Sequence, residues 1–465
     1  LVPGTAGELV DQPATVQLAM MRTRQVSARE LLEAHLARIE ARNPELNAVV
    51  ALDADVAMKR AAAVDEAVAG GRLVGPLAGL VTAHKDLIDT ADFVTTQGAK
   101  PYADHRPTVD SLIVERMKRA GAVAVGKTNV PEFGAGSHTF NPVYGATGNA
   151  YDSTRSAGGS SGGAAVALAT GMVAVADGSD VGGSLRNPAA WNNVVGFRPS
   201  VGVVPSGGAG NAWHPLPIHG PMARTVDDVV LLLAVMARPD TRDPLGRGLK
   251  VPAPEHLHPP TQPLRVAWSR DLGGLPLEAE IVTAMDGLRA TLENLDWMVV
   301  DDEPDFTGTD EVFLTLRAFM YAEKADELRP HLDDIKATVR GEIERGLALT
   351  GPEVSAAFIQ LKDLWDRAHR FFTHYDLLVG PVTQVMPFPL DWEYPTEVSG
   401  VAMGSYVEWM RSCSRITSFG LPALSLPIGF GSSGLPVGAQ LVGRPFGDLD
   451  LLLAAKAVES THDRR

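Results

Sequence analysis

The sequence predicts an α/β protein, with a mixed, mostly parallel β-sheet covered on both faces by helices. Three observations predict it. Short apolar, strand-like runs alternate with amphipathic helical runs along most of the chain. One stretch, residues 310–370, breaks that rhythm: it is charged, helical in pattern and without strand signal. The chain also has 465 residues, 45% hydrophobic and 21% charged, enough for a large buried core. The expected organisation is one domain over residues 1–465, with 310–370 as a helical insertion or cap.

The elements follow in order. Ser27-Ala28-Arg29-Glu30 is a capping box. Leu31, Leu32, His35, Leu36 and Ile39 then recur at helical spacing, and Asn43-Pro44 is expected to end that helix. Ala54 to Ala69 reads as an alanine-rich helix. Gly79 to Ala83 reads as a buried strand leading into Lys85. Ser111 to Ala120 is helical and Ala122 to Val125 a strand. Ser161 to Thr170 opens on glycines and becomes a small-residue helix, followed by a strand from Met172 to Ala176. Thr225 caps an apolar helix through Ala237. Strands at Leu264 to Trp268 and Met298 to Val300 bracket a helix near Leu277 to Leu292. Strands at Asp376 to Val379, Ala423 to Leu426 and Val437 to Val442 come next, and a helix after Asp448 closes the chain.

Composition excludes several functions. The net charge is −15 with no basic cluster, which argues against nucleic acid as a partner. No apolar run reaches the roughly 18 residues of a membrane span. The single cysteine, Cys413, cannot form an intrachain disulfide and fits a reducing compartment. No basic-then-apolar leader opens the chain. It starts Leu1-Val2-Pro3 without Met, so further N-terminal residues are expected before it, and the expected location is the cytoplasm. His256-Leu257-His258 lacks metal-ligand spacing, and no dinucleotide or P-loop fingerprint is present. No metal and no cofactor are expected.

The chemistry concentrates between Arg155 and Pro188. Two serine sites lie among glycines: Gly158-Gly159-Ser160-Ser161-Gly162-Gly163 and Gly182-Gly183-Ser184. Glycines let backbone amides approach a ligand closely. A serine exposed beside free amides offers a nucleophile and a cradle for an oxyanion, as acyl transfer requires. Ser184 can use the amides of Gly182, Gly183 and its own. Ser160 instead matches G-x-S-x-G, a nucleophile elbow, which would need an acid and a later histidine among His214, His219, His256, His258, His331, His369, His374 and His462. Lys85 ends a buried strand; desolvation would make it neutral and a base. From the residues alone, Ser184 and Ser160 both remain candidate nucleophiles.

Taken together, these segments resemble the amidase signature family. The resemblance rests on Lys85-Asp86, Gly158 to Gly163 and Asp180 to Ala189. Gly126 to Phe133, Gly220 to Thr225 and Gly434 to Gly443 extend it over nearly the whole chain. It implies the amidase signature fold and a Ser–cis-Ser–Lys triad: Ser184 as nucleophile, Ser160 as the bridging serine and Lys85 as base. It also implies an oxyanion hole from the amides of Val181, Gly182, Gly183 and Ser184. Ser179 stands where the family often has Thr. Asp180 and Arg186 are placed to brace the loop, and Ser161 to hydrogen-bond near the triad. After the motif the family commonly reads Pro-Ala-x-Phe-Cys-Gly, whereas this chain has Ala190-Trp191-Asn192-Asn193.

The implied substrate is a small-molecule amide, and the chain looks similar to the aryl-acylamidase and urethanase members, which adds carbamates. The pocket lining is expected from Asn129 to Phe140, Gly207 to Trp213, the helical insertion and Tyr406 to Arg415. Phe133, Gly134, Phe140, Gly208, Trp213 and Trp409 are the named candidates. A monomer or homodimer is expected. Two alternatives stay open: the amidase subunit of a tRNA-dependent amidotransferase, and an α/β-hydrolase-type esterase using Ser160 with a downstream histidine.

Overall fold

Local signals start several helices where the sequence places them. Ser27 Oγ accepts from Glu30 N at 3.2 Å, and Glu30 Oε2 accepts from Ser27 N at 2.8 Å. Asp53 accepts from Val56 N at 3.0 Å to open the helix Ala54–Ala69. Thr225 accepts from Asp228 N at 3.1 Å to open Val226–Met236. The first helix of this group runs past its expected stop, from Ala28 through Pro44 to Leu46. Pro44 removes one donor but sits in the last turn. There the side chain of Asn43 accepts from Ala48 N and Val49 N, both at 2.8 Å, and so caps the exit. Asn47 then turns the chain with φ of 51°.

The computed structural model describes residues 9–72, 74–207 and 210–461. Eleven strands form its main sheet. They are β1 (Val49–Val50), β2 (Val81–Lys85), β3 (Val123–Thr128), β4 (Val175–Asp180), β5 (Val195–Arg198) and β6 (Ile218–Ala223). The rest are β7 (Arg265–Trp268), β8 (Met298–Asp301), β9 (Leu377–Pro381), β10 (Ala423–Phe430) and β11 (Pro436–Gly443). Their order is β1-β3-β2-β4-β6-β5-β10-β11-β9-β7-β8.

The sheet is mixed and helix-covered, as expected, but antiparallel pairs outnumber parallel ones. Only β3–β2, β2–β4, β9–β7 and β7–β8 are parallel. The reason is connection length and three unforeseen strands, β1, β5 and β6. A parallel pair needs a crossover of a dozen residues or so. β10 and β11 are joined by a tight turn in which Gly431 N donates to Leu435 O at 2.8 Å, so they must be antiparallel. Strand β6 has little strand signal, because it reads Ile-His-Gly-Pro-Met-Ala. Its Gly220 is required by close approach: a methyl there would lie 2.2 Å from Phe197 O.

Alternate strand residues feed opposite faces. Leu377 and Val379 join an apolar cluster with the helices Val226–Met236, Ala279–Asn294 and Asp448–Glu459. Leu378 joins another, with Phe313, Trp191 and Trp409. Val81 and Ala83 join a third, built on the small-residue helix Gly162–Ala169. Between residues 310 and 370 the structure has helices and no strand; Thr309–Ala322, Ala337–Ala348 and Gly351–Phe371 are the long ones. Among the described residues no helix is long and apolar enough to cross a membrane.

Candidate active site

The sheet brings the two halves of the site together. β2 ends at Lys85, and its parallel neighbour β4 runs beside it to Ser179 and Asp180. β4 lies later than the expected Met172 to Ala176 strand, so Ser179 and Asp180 are strand residues. The turn Val181–Ser184 follows at the same end and leads into the short helix Arg186–Trp191. The loop Gly158–Ser161 crosses over this end before the helix Gly162–Ala169. That crossing is close: a methyl on Gly178 would meet Ser161 Oγ at 2.8 Å, and one on Gly163 would meet Asn129 N at 2.3 Å. The Gly159–Ser160 peptide is cis. Ser161 N donates to Ser184 O at 3.2 Å and ties the loop to the turn.

Lys85 is fully buried. Its Nζ lies 2.8 Å from Ser160 Oγ, 2.8 Å from Ser161 Oγ, 3.0 Å from Ser179 Oγ and 3.1 Å from Ser179 O. Among the described residues no carboxylate pairs with this amine. Burial lowers its pKa from 10.5 to about 7, against the opposing pull of Asp180 and Asp177. A neutral amine has two donors and one lone pair, so within this ring of oxygens it can accept a proton from a serine hydroxyl.

Ser184 is half-buried and lines the same cleft as Ser160 and Ser179. Among the described residues no hydrogen bond joins Ser184 Oγ to Ser160. The amides of Val181, Gly182 and Ser184 have no hydrogen-bond partner among the described residues. Gly183 differs from its expected role: its N–H donates to Asp180 Oδ1 at 2.8 Å. That donor is already held by a carboxylate, so three of the four expected oxyanion donors remain.

Asp180 is the brace. Arg186 donates to it through Nε at 3.0 Å and Nη2 at 2.9 Å, and Leu185 N donates at 3.1 Å. Burial opposes its charge, but the guanidinium groups of Arg186 and Arg198 outweigh burial and hold the carboxyl well below the usual range. Arg186 reaches on to Gln440 Oε1 at 2.6 Å and Thr417 Oγ1 at 2.9 Å. The brace thus anchors the Val181–Ser184 turn to β11 and to the helix Arg411–Ser418. Arg198 and Asp177 were not anticipated. Asp177 accepts from Lys85 N at 2.9 Å and pairs with His84 Nδ1, which fixes the backbone that carries the amine.

Comparison with known proteins places the chain in a family. The Amidase family matches residues 30–452. The chain belongs to the amidase family. An acylamidase from Rhodococcus erythropolis is 34% identical over 96% of this chain and 94% of its own. A glutamyl-tRNA(Gln) amidotransferase subunit from Moorella thermoacetica is also 34% identical, over 99% of this chain and 98% of its own. A solved bacterial aryl acylamidase of the amidase signature family superimposes with a TM-score of 0.91, at 30% identity, covering 97% of this chain and 96% of that one.

The amidase cleft is narrow, with a cavity volume of about 70 Å³. Phe133 and Gly134 line it, as expected. Three of the other pocket candidates do not. Trp409 is fully buried and stacks on Trp191, with ring centroids 5.1 Å apart, so it is core. Trp213 is 67% exposed, outside the cleft. Phe140 packs on His138 and under Lys336 instead. Gly208 lies outside the described residues. Apart from Leu87, the lining that was missed residue by residue comes from the anticipated segments: Gly136, then Phe313, Arg317, Met320 and Tyr321 from the helix Thr309–Ala322, and Tyr406 and Met410 after it. A spacing of four, three and one residues from Phe313 to Tyr321 marks one helix face and was the available signal.

Competing chemistry finds no support in the geometry. Among the described residues no histidine reaches Ser160; its partner is Lys85. His214 is turned to Leu316 O. Burial pushes the Cys413 thiol up to about 12 and leaves it against Asn187 and Val382. Among the described residues no cluster of three or more His, Cys, Asp or Glu could hold a metal ion.

Proposed function

We propose that this amidase is a serine hydrolase that cleaves the C–N bonds of amides and carbamates through an acyl-enzyme on Ser184. The observation that carries the reading is the buried Lys85 amine, ringed by hydroxyls of Ser160, Ser161 and Ser179 and lacking a carboxylate partner among the described residues. Neutral Lys85 takes the proton of Ser160, which takes that of Ser184. The Ser184 oxygen attacks the carbonyl carbon. The amides of Val181, Gly182 and Ser184 hold the resulting oxyanion. Lys85 returns its proton through Ser160 to the leaving nitrogen, which departs as an amine. Water then attacks the acyl-enzyme along the same proton path and frees Ser184. With a carbamate, the enzyme-bound group is a carbonate ester, and its hydrolysis releases an alcohol and CO₂. No cofactor enters, and the working form is a monomer or homodimer in the cytoplasm.

Labelling with a fluorophosphonate, followed by peptide mapping, tests the nucleophile. An adduct on Ser184 is expected. An adduct on Ser160 would return the elbow mechanism. Turnover of an anilide and of an O-alkyl N-aryl carbamate at equal concentration tests the substrate range. Hydrolysis of both is expected; activity on short aliphatic amides alone would remove the carbamate reading.

The amidotransferase-subunit reading has one observation in its favour, the full-length likeness to such subunits. The acidic balance of the chain weighs against a tRNA surface. Size-exclusion of the isolated protein with an amidase assay on the peak separates the two; a stand-alone active hydrolase ends the second reading.

A further inference from the structure

One charged side chain sits on the wall of the cleft. Arg317 is 4% exposed and shares a helix face with Phe313, one turn earlier. Phe313 presses on the nucleophile turn: a methyl on Gly182 would meet its ring at 2.6 Å. Arg317 is therefore about one helical turn from the catalytic end of the cleft.

Its charge is matched. Glu342, also 4% exposed, comes from the neighbouring helix Ala337–Ala348 and pairs with the Arg317 guanidinium. Tyr406 accepts a hydrogen bond from the same guanidinium. The rings of Tyr321 and Tyr406 lie 5.0 and 5.4 Å from its central carbon. The other charges nearby are engaged or outward. Arg345 also pairs with Glu342 and is 62% exposed. Lys336 is tied to Glu393 at 2.8 Å, and Lys324 lies over the Phe133 ring at 5.4 Å.

A cation neutralised from behind offers a substrate little charge. A carboxylate entering here would lose its water, find the guanidinium already committed, and lie near a second carboxylate. An uncharged apolar or aromatic group meets Phe133, Met320 and Tyr321 at no such cost. We propose that Glu342, by cancelling the charge of Arg317, makes the cleft select uncharged substrates and reject carboxylate-bearing ones. Glu342 is thus a specificity-determining residue acting through Arg317, and this rests on the Ser184 reading above.

The test uses two matched pairs of anilides. Succinanilic acid is compared with isohexananilide, which puts the carboxylate on the acyl side. Para-acetamidobenzoate is compared with para-isopropylacetanilide, which puts it on the amine side. The wild type is expected to favour the neutral member of at least one pair by roughly tenfold or more in kcat/KM. Glu342→Gln is expected to cut that preference about tenfold, because it frees the guanidinium for the anion. A wild type indifferent to both pairs overturns the proposal, as does a preference unmoved or increased in Glu342→Gln. Where Glu342→Gln fails to fold, the double variant Arg317→Met with Glu342→Leu serves: it frees no guanidinium, so the preference persists, and its loss overturns the proposal. Ser184→Ala on all four substrates separates the two levels. Residual turnover there sinks the nucleophile; abolished turnover with an unmoved preference sinks only Glu342.

Discussion

Two lysines on adjacent parallel strands make the sharpest comparison in this protein. Lys85 ends β2 and Lys127 lies near the end of β3, and both are fully buried. The register pairs Lys85 with Thr128 and His84 with Lys127, so the two lysines stand one residue out of step. Successive strand residues face opposite sides, and the two amines leave the sheet into different surroundings. Burial lowers both, to about 7 at Lys85 and about 8 at Lys127. Lys127 donates to Ile88 O, to Thr95 Oγ1 at 2.8 Å and to Thr90 Oγ1 at 3.2 Å, stitching a loop to the sheet. Lys85 faces three serine hydroxyls, and two of those serines line the cleft. Burial alone, then, makes an amine a weaker base. What surrounds it decides whether the amine is a structural support or is free to act as the base proposed for Lys85.

The largest effect should come from exchanging each amine for a thioether of similar length. Lys85→Met is expected to lose about a thousandfold or more in kcat/KM on an anilide, the scale of a lost general base. Lys127→Met is expected to stay within about tenfold of wild type. Equal losses in both variants would erase the distinction. The second effect runs the other way. Lys127→Met leaves Thr90, Thr95 and Ile88 O without their donor and Asp86 without its nearby cation. Urea unfolding at pH 7 is expected to show a stability loss of about 3 kcal/mol.

The third effect is on pH dependence. Protonated Lys85 cannot accept a proton, so kcat/KM should fall about tenfold per pH unit below about 7 and level off above it. The fourth is the linked change in stability. The folded-state pKa of Lys85 lies below its unfolded value of 10.5, so between about 7 and 10.5 the unfolded chain binds the extra proton. Wild-type stability relative to Lys85→Met should therefore rise with pH across that window, by up to about 1.4 kcal/mol per unit. Below pH 7 the difference should be flat. A flat difference between pH 7 and 9 would show that the amine stays charged when folded.

The site was legible where its signal was local. Lys85 at a strand end, the doubled serines and the glycines around them are contiguous motifs, and the structure gathers Lys85, Ser160, Ser161, Ser179 and Ser184 at one end of the sheet. The substrate side was less legible. An aromatic residue looks the same in sequence whether it stacks in the core like Trp409, lies on the surface like Trp213, or lines a cleft like Phe313. The Gly183 amide failed for a similar reason. Its availability depends on a carboxylate three residues back, and nothing in the local motif says which donor that carboxylate takes.

By itself the sequence determined the helix starts at Ser27, Asp53 and Thr225, the glycine turn that exposes Ser184, and the residue types needed for acyl transfer. These depend on interactions within a few residues, which chain order specifies directly. Long-range packing set the antiparallel majority of the sheet, the brace from Arg198 to Asp180, and the pairing of Arg317 with Glu342. Those depend on which distant segments become neighbours, a matter of loop length and buried packing rather than of any one stretch of residues.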